Sequence, residues 1–277
     1  MKTIRRVITS GRHFLKECMY GSLACAGSWD AMRLALLLRM SPKHGDHDAR
    51  RSPWKLRLRG YDHPLWLRPH TSDALVAREV LFQGEYDGIR QCELPDSARI
   101  LDLGSNIGLS VCYWDYLFEQ CDVIAVEPDD HSRTLLERNC QSMIEADRLH
   151  VVSAFISHEA GWAAIERPGR AWSYRMGETS QAQVDDKTIP TVTVPSLLEE
   201  ADWDVVDLLK CDIEGGEVGL FQSAGDWVSR IRHMFVETHP PYTNEDLYAD
   251  LRRAGYVFDV LHDESKLTNG VCLLRQR

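Results

Sequence analysis

Two short stretches of this chain gather side chains that can hold or move a proton. Asp212 and Glu214 follow the apolar run that ends at Cys211, and Glu237 and His239 close the run that begins at His233. Together they could draw a proton from a hydroxyl, or hold a divalent cation that acidifies one. An imidazole with an ordinary pKa near ~6.5 suits a base at neutral pH. Pro240 restricts His239 to extended backbone. Lys210, two residues before Asp212, can neutralise part of this acidity, and Gly215-Gly216 lets the backbone come close to a ligand or turn into a helix.

A third stretch reads as a nucleoside site. Ile100-Leu101-Asp102-Leu103-Gly104-Ser105-Asn106-Ile107-Gly108 is an apolar strand running through a glycine turn into a helix. Glu127-Pro128 lies at the end of the next apolar run, where a carboxylate can accept bonds from both hydroxyls of a ribose. The glycines are spaced GxxxG rather than GxGxxG. Ser105 and Asn106 stand where a pyrophosphate would need clearance, and Asp102 adds negative charge just before the turn. A sulfonium nucleoside with an amino-acid tail fits both points. A nicotinamide or flavin nucleotide, and a turn that binds nothing, stand as alternatives.

These residues need a scaffold that brings strand ends together. Strands are expected over 98–103, 122–126, 149–157, 204–211 and 233–238, with helices after the first, second, fourth and fifth. A last strand pair lies near 256–261 and 270–274. Such alternation means βαβ units and a largely parallel sheet, whose ligands bind outside the carboxyl ends of the strands. Asp212, Glu214, Glu237 and His239 would then be neighbours. Ahead of the sheet, residues 54–69 read as a hairpin and 73–83 as a helix. Residues 41–51 read as a linker. The polar segment 158–190 breaks the rhythm and is expected to be a substrate-side insertion. Its Trp172 and Tyr174, and Tyr86 upstream, could wall an acceptor pocket. The expected organisation is a basic helical extension (1–50), a lead-in hairpin and helix (51–97), and the main α/β domain (98–277).

The sequence resembles the FkbM family of methyltransferases. The carrying motifs are Leu101–Gly108, Val126-Glu127-Pro128-Asp129, Leu209-Lys210-Cys211-Asp212-Ile213-Glu214-Gly215-Gly216-Glu217 and Val236-Glu237-Thr238-His239-Pro240. The Lys-x-Asp-x-Glu-Gly-x-Glu string is the most specific of them. The resemblance covers about residues 70–260. It implies a Rossmann-like, seven-stranded class I methyltransferase sheet with helices on both faces and a hairpin-like last pair. It also implies S-adenosylmethionine as methyl donor and O-methylation of a saccharide, glycolipid or secondary metabolite. Asp102, Gly104, Ser105, Asn106 and Gly108 are then expected at the donor, with Glu127 and Pro128 at its ribose. Asp212, Glu214, Glu237 and His239 are the expected catalytic group. A divalent metal is conceivable there but is not the favoured reading. The family often has Leu-Asp shortly before its fourth strand, where this chain has Val194-Pro195, so no role is carried over to that place. N- or C-methylation of a small molecule, or an inactive methyltransferase-like binding module, are the rival functions.

Composition narrows the partners. In 277 residues the net charge is −10, yet residues 1–70 hold 14 Lys and Arg against 5 Asp and Glu. The acidic remainder argues against a nucleic-acid binder, which needs clustered cations. The basic front could meet an anionic membrane surface. No clean signal-peptide core follows the N-terminal Arg5-Arg6, and the apolar run 31–40 is too short to span a bilayer, which takes ~20 residues. Eight cysteines without CxxC spacing point to reduced thiols and a cytoplasmic setting.

Overall fold

The computed structural model describes residues 25–41, 51–166, 175–177, 188–265 and 269–277. Its chain divides between Gly84 and Glu85 into two compact units. In the first, helix Ser28–Met40 buries Ala31, Leu34, Ala35, Leu37 and Leu38. A short hairpin pairs β1 (Trp54–Leu56) with β2 (Leu65–Leu67), as the alternating pattern predicts, and helix Asp73–Phe82 follows. Ser72 makes no side-chain cap on that helix. Instead the buried Asp73 carboxylate takes two hydrogen bonds from the Arg68 guanidinium, at 2.9 and 3.0 Å.

The second unit is built on a seven-stranded sheet in the order β12-β13-β11-β10-β3-β4-β5. Its members are β3 (Arg99–Leu103), β4 (Asp122–Val126), β5 (Leu149–Val152), β10 (Val206–Cys211), β11 (Ile231–Thr238), β12 (Phe258–Ser265) and β13 (Gly270–Gln276). Strands β3, β4, β5, β10 and β11 run parallel, and the β12–β13 hairpin joins antiparallel to β11. Continuous apolar runs specify the central strands: every residue of β10 is buried, as suits a strand covered on both faces. Leu101, Leu103, Ile124, Leu209 and Met234 line one core with Leu197, Leu220, Phe221 and Trp227. This is the Rossmann-like, seven-stranded sheet with a hairpin-like last pair that the resemblance implies. Strand order reverses between β3 and β10, so the crevice lies outside their carboxyl ends.

The structure corrects one expectation and adds two features. The single strand 149–157 is two: β5 stays in the main sheet, whereas β6 (Phe155–Ile156) leaves it. β6 pairs with β9 (Thr188–Val192), which pairs with β7 (Gly161–Glu166), and β7 with β8 (Arg175–Gly177), in a second, four-stranded sheet. The interruption at 158–190 therefore contributes strands of its own; Trp172 and Tyr174 lie outside the described residues. Helix Val194–Glu200, unread in the sequence, starts at Val194-Pro195 with a capping box between Thr193 and Ser196.

Candidate active site

Parallel pairing sets the site. Lys210 lies opposite Asp102, and Cys211 opposite Leu103 in one direction and Val236 in the other. The turns after β3 and β10 therefore emerge side by side. Gly104 has φ +79°, and a Cβ there would fall 1.8 Å from the Asp212 carbonyl oxygen, so only glycine lets the two turns touch. The Asp212 amide donates to the Leu103 carbonyl at 3.1 Å, and the Lys210 ammonium donates to the Gly104 carbonyl at 2.7 Å. Gly108, also left-handed, closes on Leu136 and Cys140 of the neighbouring helical segment.

Asp102 has no exposed surface. One carboxylate oxygen accepts from Trp114 Nε1 at 2.9 Å and the other from the Ser105 hydroxyl at 3.1 Å, with Lys210 Nζ 3.5 Å away. As folded, Asp102 braces the turn from beneath and presents nothing to the crevice. Lys210 is held strongly cationic: burial would lower its pKa, but the charges of Asp102, Asp212, Cys211 and Glu237 outweigh that and raise it. Tyr86 belongs to the same underlayer. It is buried and packs on Trp114 and Phe235 with ring centroids 4.9 and 4.8 Å apart, a core position rather than a pocket wall.

Glu127 bridges the turn after β3 and the turn that follows its own strand, β4. Its oxygens accept from the Asn106 and Asp129 amides, each at 2.8 Å. Each oxygen keeps a second lone pair. Burial pushes its pKa up to about 7 against those two bonds. Pro128 and Asn106 are half-buried beside it, and Ser105 is buried.

At the ends of β10 and β11 the four expected groups converge. His239 Nε2 lies 3.6 Å from Glu214, 3.8 Å from Glu237 and 3.9 Å from Asp212. All are partly buried, and Lys210 Nζ is 3.7 Å from Asp212. Ligand atoms of Asp212, Glu214 and His239 lie within 4.8 Å of one another, so these three could hold a divalent cation. Two features escaped the sequence reading. Glu217 takes the other ring nitrogen of His239, Nδ1, at 3.1 Å, and the Asn269 amide donates to Glu237. Glu217 is the last residue of the Lys-x-Asp-x-Glu-Gly-x-Glu string, so a signal for it existed; Asn269 had none.

The expectation of an ordinary histidine is not met. Burial lowers the pKa of His239, but the Glu217 hydrogen bond and the charges of Glu217, Asp212 and Glu214 carry it up to about 9. Burial and the Asp212 charge raise Glu214 to about 8 and Glu237 to about 7. The site is an imidazolium beside two carboxylates, Glu214 and Glu237, that titrate near neutrality.

Residues 102–258 match the family profile described as the methyltransferase FkbM domain. The chain belongs to the FkbM family. It is thus a methyltransferase with S-adenosylmethionine as its donor, and the nicotinamide and flavin alternatives fall away. A curated relative, "Methyltransferase 1" of Beauveria bassiana (strain ARSEF 2860), is 24% identical over 176 residues, covering 54% of this chain and 67% of that protein. The crystal structure of methyltransferase FkbM from Methylobacillus flagellatus KT shares the fold. It has a TM-score of 0.50 at 13% identity over 98% of this chain and 60% of that one. Aeropyrum pernix fibrillarin, with natively bound S-adenosyl-L-methionine, is a more distant likeness. Its TM-score is 0.41 at 13% identity, over 69% of this chain and 74% of that one.

Proposed function

We propose that this FkbM protein moves a methyl group from S-adenosylmethionine to a hydroxyl of a saccharide, glycolipid or secondary metabolite. The observation that carries this reading is the proton-handling cluster of Asp212, Glu214, Glu237 and His239, built one strand away from the glycine turn. The turn residues Gly104, Ser105, Asn106 and Gly108 cradle the donor. Asp102 acts on it only through the turn it braces, and Glu127 and Pro128 flank the ribose. The reaction is an in-line displacement: the acceptor oxygen bonds the methyl carbon, the sulfonium bond breaks, and its electron pair returns to sulfur. An activated donor leaves alignment and removal of the hydroxyl proton to the protein. A carboxylate with a pKa near the working pH suits that proton, so Glu237 or Glu214 accepts it while His239 stays cationic and balances the cluster's charge. An N- or C-methyl acceptor would not need this base to the same degree. A cation held by Asp212, Glu214 and His239 would acidify the hydroxyl instead, which is the second reading of the same groups.

The test is transfer of labelled methyl from S-adenosylmethionine to panels of saccharides, glycolipids and hydroxylated metabolites, with amines as controls. Labelled hydroxyls that depend on Glu237 and His239 support the reading. Labelled amines alone, or donor turnover untouched in His239→Ala, overturn it.

We also propose a cytoplasmic protein that meets anionic membrane at its basic front. Among the described residues no helix is long and apolar enough to cross a membrane. Helix Ser28–Met40 instead exposes Trp29 and Met32, 73% and 38%, beside Arg33. Interfacial aromatic and basic side chains of this kind favour a lipid surface. Sedimentation with phosphatidylserine vesicles at low salt should fall in Trp29→Glu/Met32→Glu; equal pelleting of both proteins rejects the idea.

A further inference from the structure

The last glutamate of the Lys-x-Asp-x-Glu-Gly-x-Glu string has no role in the reading above, yet, like Asp102, it is fully buried. Glu217 has no exposed surface and opens the short helix Glu217–Gln222. Its Oε1 accepts from the Ile213 amide at 3.1 Å and lies 3.1 Å from His239 Nδ1. Its Oε2 is buried and has no hydrogen-bond partner. A carboxylate kept out of water with one oxygen unbonded costs stability. Bracing the loop needs only the bond from Ile213, which a neutral side chain could accept without that cost. The carboxylate therefore points to a partner that uses it, and His239 is the ring that meets it.

We infer that Glu217 is a positioning residue for methyl transfer: it holds the Nδ1–H of His239 and so turns Nε2 toward Glu214, Glu237 and Asp212, where the acceptor hydroxyl must lie. The inference rests on the proposed role of that cluster and adds the group that orients it. The geometry leaves His239 one free nitrogen. Glu217 lies on the Nδ1 side, and the three carboxylates stand 3.6–3.9 Å away on the Nε2 side. Lys210 touches the group only through Asp212. When the ring is neutral, a buried carboxylate on Nδ1 selects the tautomer that keeps its proton there and leaves Nε2 bare. Without Glu217, the same three carboxylates would draw the proton to Nε2. The ring would also be free to rotate about its side-chain bonds.

Two measurements on the full chain decide this. The first needs no acceptor: nitrogen-15 histidine spectra across pH, with His239 assigned by its disappearance in His239→Asn. The wild type should show Nδ1 protonated throughout, including in the neutral ring at high pH. Glu217→Gln, which can still accept from Ile213, should lower the midpoint of His239 by at least one pH unit, a tenfold change in its neutral fraction. Glu217→Ala should move the neutral proton to Nε2. Calorimetric affinity for S-adenosylmethionine should stay within about twofold in Glu217→Gln, which controls for a damaged fold. A His239 signal with the same midpoint and tautomer in Glu217→Gln and Glu217→Ala overturns the inference. The second measurement is methyl transfer to whichever hydroxyl acceptor the panel identifies: Glu217→Gln should lower kcat at least tenfold with KM unchanged. If His239→Ala abolishes transfer while Glu217→Gln keeps full kcat, the positioning role fails and the proposed function survives. If His239→Ala keeps full transfer, the proposed function fails whatever the spectra show.

Discussion

At the scale of single residues, the chemistry turns on which group holds a proton at working pH. Reasoning from residue type makes His239 the neutral base, because a free imidazole is mostly uncharged at pH 7. The structure surrounds it with four carboxylates, and the ring is held as a cation until about pH 9. Glu237 and Glu214, raised to about 7 and 8, are the proton acceptors of the proposed reaction. The two assignments predict different curves. With a carboxylate base and a cationic ring, kcat rises as Glu237 and Glu214 ionise through about pH 7–8 and falls as His239 loses its proton near pH 9. With His239 as base, the rate climbs to a plateau above pH 9 and does not fall. A kcat profile from pH 5.5 to 10 with the identified acceptor separates them.

At the scale of elements, the turns after β3 and β10 act as one unit. Gly104 is pressed on the Asp212 carbonyl, Lys210 ties the two turns together, and Asp102 fastens the first turn to Trp114 on the following helix. Gly104→Ala would place a Cβ 1.8 Å from that carbonyl while forcing alanine to φ +79°. The turns must part, so the expected loss is at least about 2 kcal/mol, since strained backbone costs ~1–3 kcal/mol before any clash. Urea unfolding measures it, and donor affinity should fall with it. A midpoint within error of the wild type would show that the turns are not in contact. Much of this unit was legible: the glycine spacing marks the turn, and continuous apolar runs mark the strands that feed it. The brace from Trp114 to Asp102 was not legible, because a tryptophan inside an apolar helix looks the same whether or not its indole N–H has an acceptor. For the same reason Asp102, an acid before a turn, read as a ligand for a cation. Only the packing shows that it is fully buried, with one oxygen on Trp114 and the other on Ser105.

At the scale of the whole molecule, buried acids and the buried imidazole couple stability to pH in one direction. Glu127, Glu214 and Glu237 hold protons in the folded state to about pH 7–8, whereas in the unfolded chain they ionise near 4.5. Between those values the unfolded state binds fewer protons, so stability falls as pH rises. His239 is raised from 6.5 to about 9, so its contribution is complete below 6.5 and is lost on the way to 9. Both effects act with the same sign. The donor-free protein should be more stable at pH 6 than at pH 9, by more than ~1 kcal/mol, since one pKa unit corresponds to ~1.4 kcal/mol. Urea midpoints at the two pH values check it, and a higher midpoint at pH 9 would falsify the assignment of these groups as protonated near neutrality.

The amino-acid sequence alone determined the sheet, the glycine turn, the family and the roster of acids at the strand ends. Those features are written in local order: hydrophobic period, glycine spacing and short contiguous motifs are properties of neighbouring residues. Tertiary structure alone decided what each group touches. It gave Asp102 to the underside of the turn, Tyr86 to the core and Glu217 to His239, and it divided the run 149–157 between two sheets. These outcomes depend on burial and on distances between residues far apart in the chain, where a change of a few ångströms decides whether a carboxylate meets a ligand, a lysine or an imidazole.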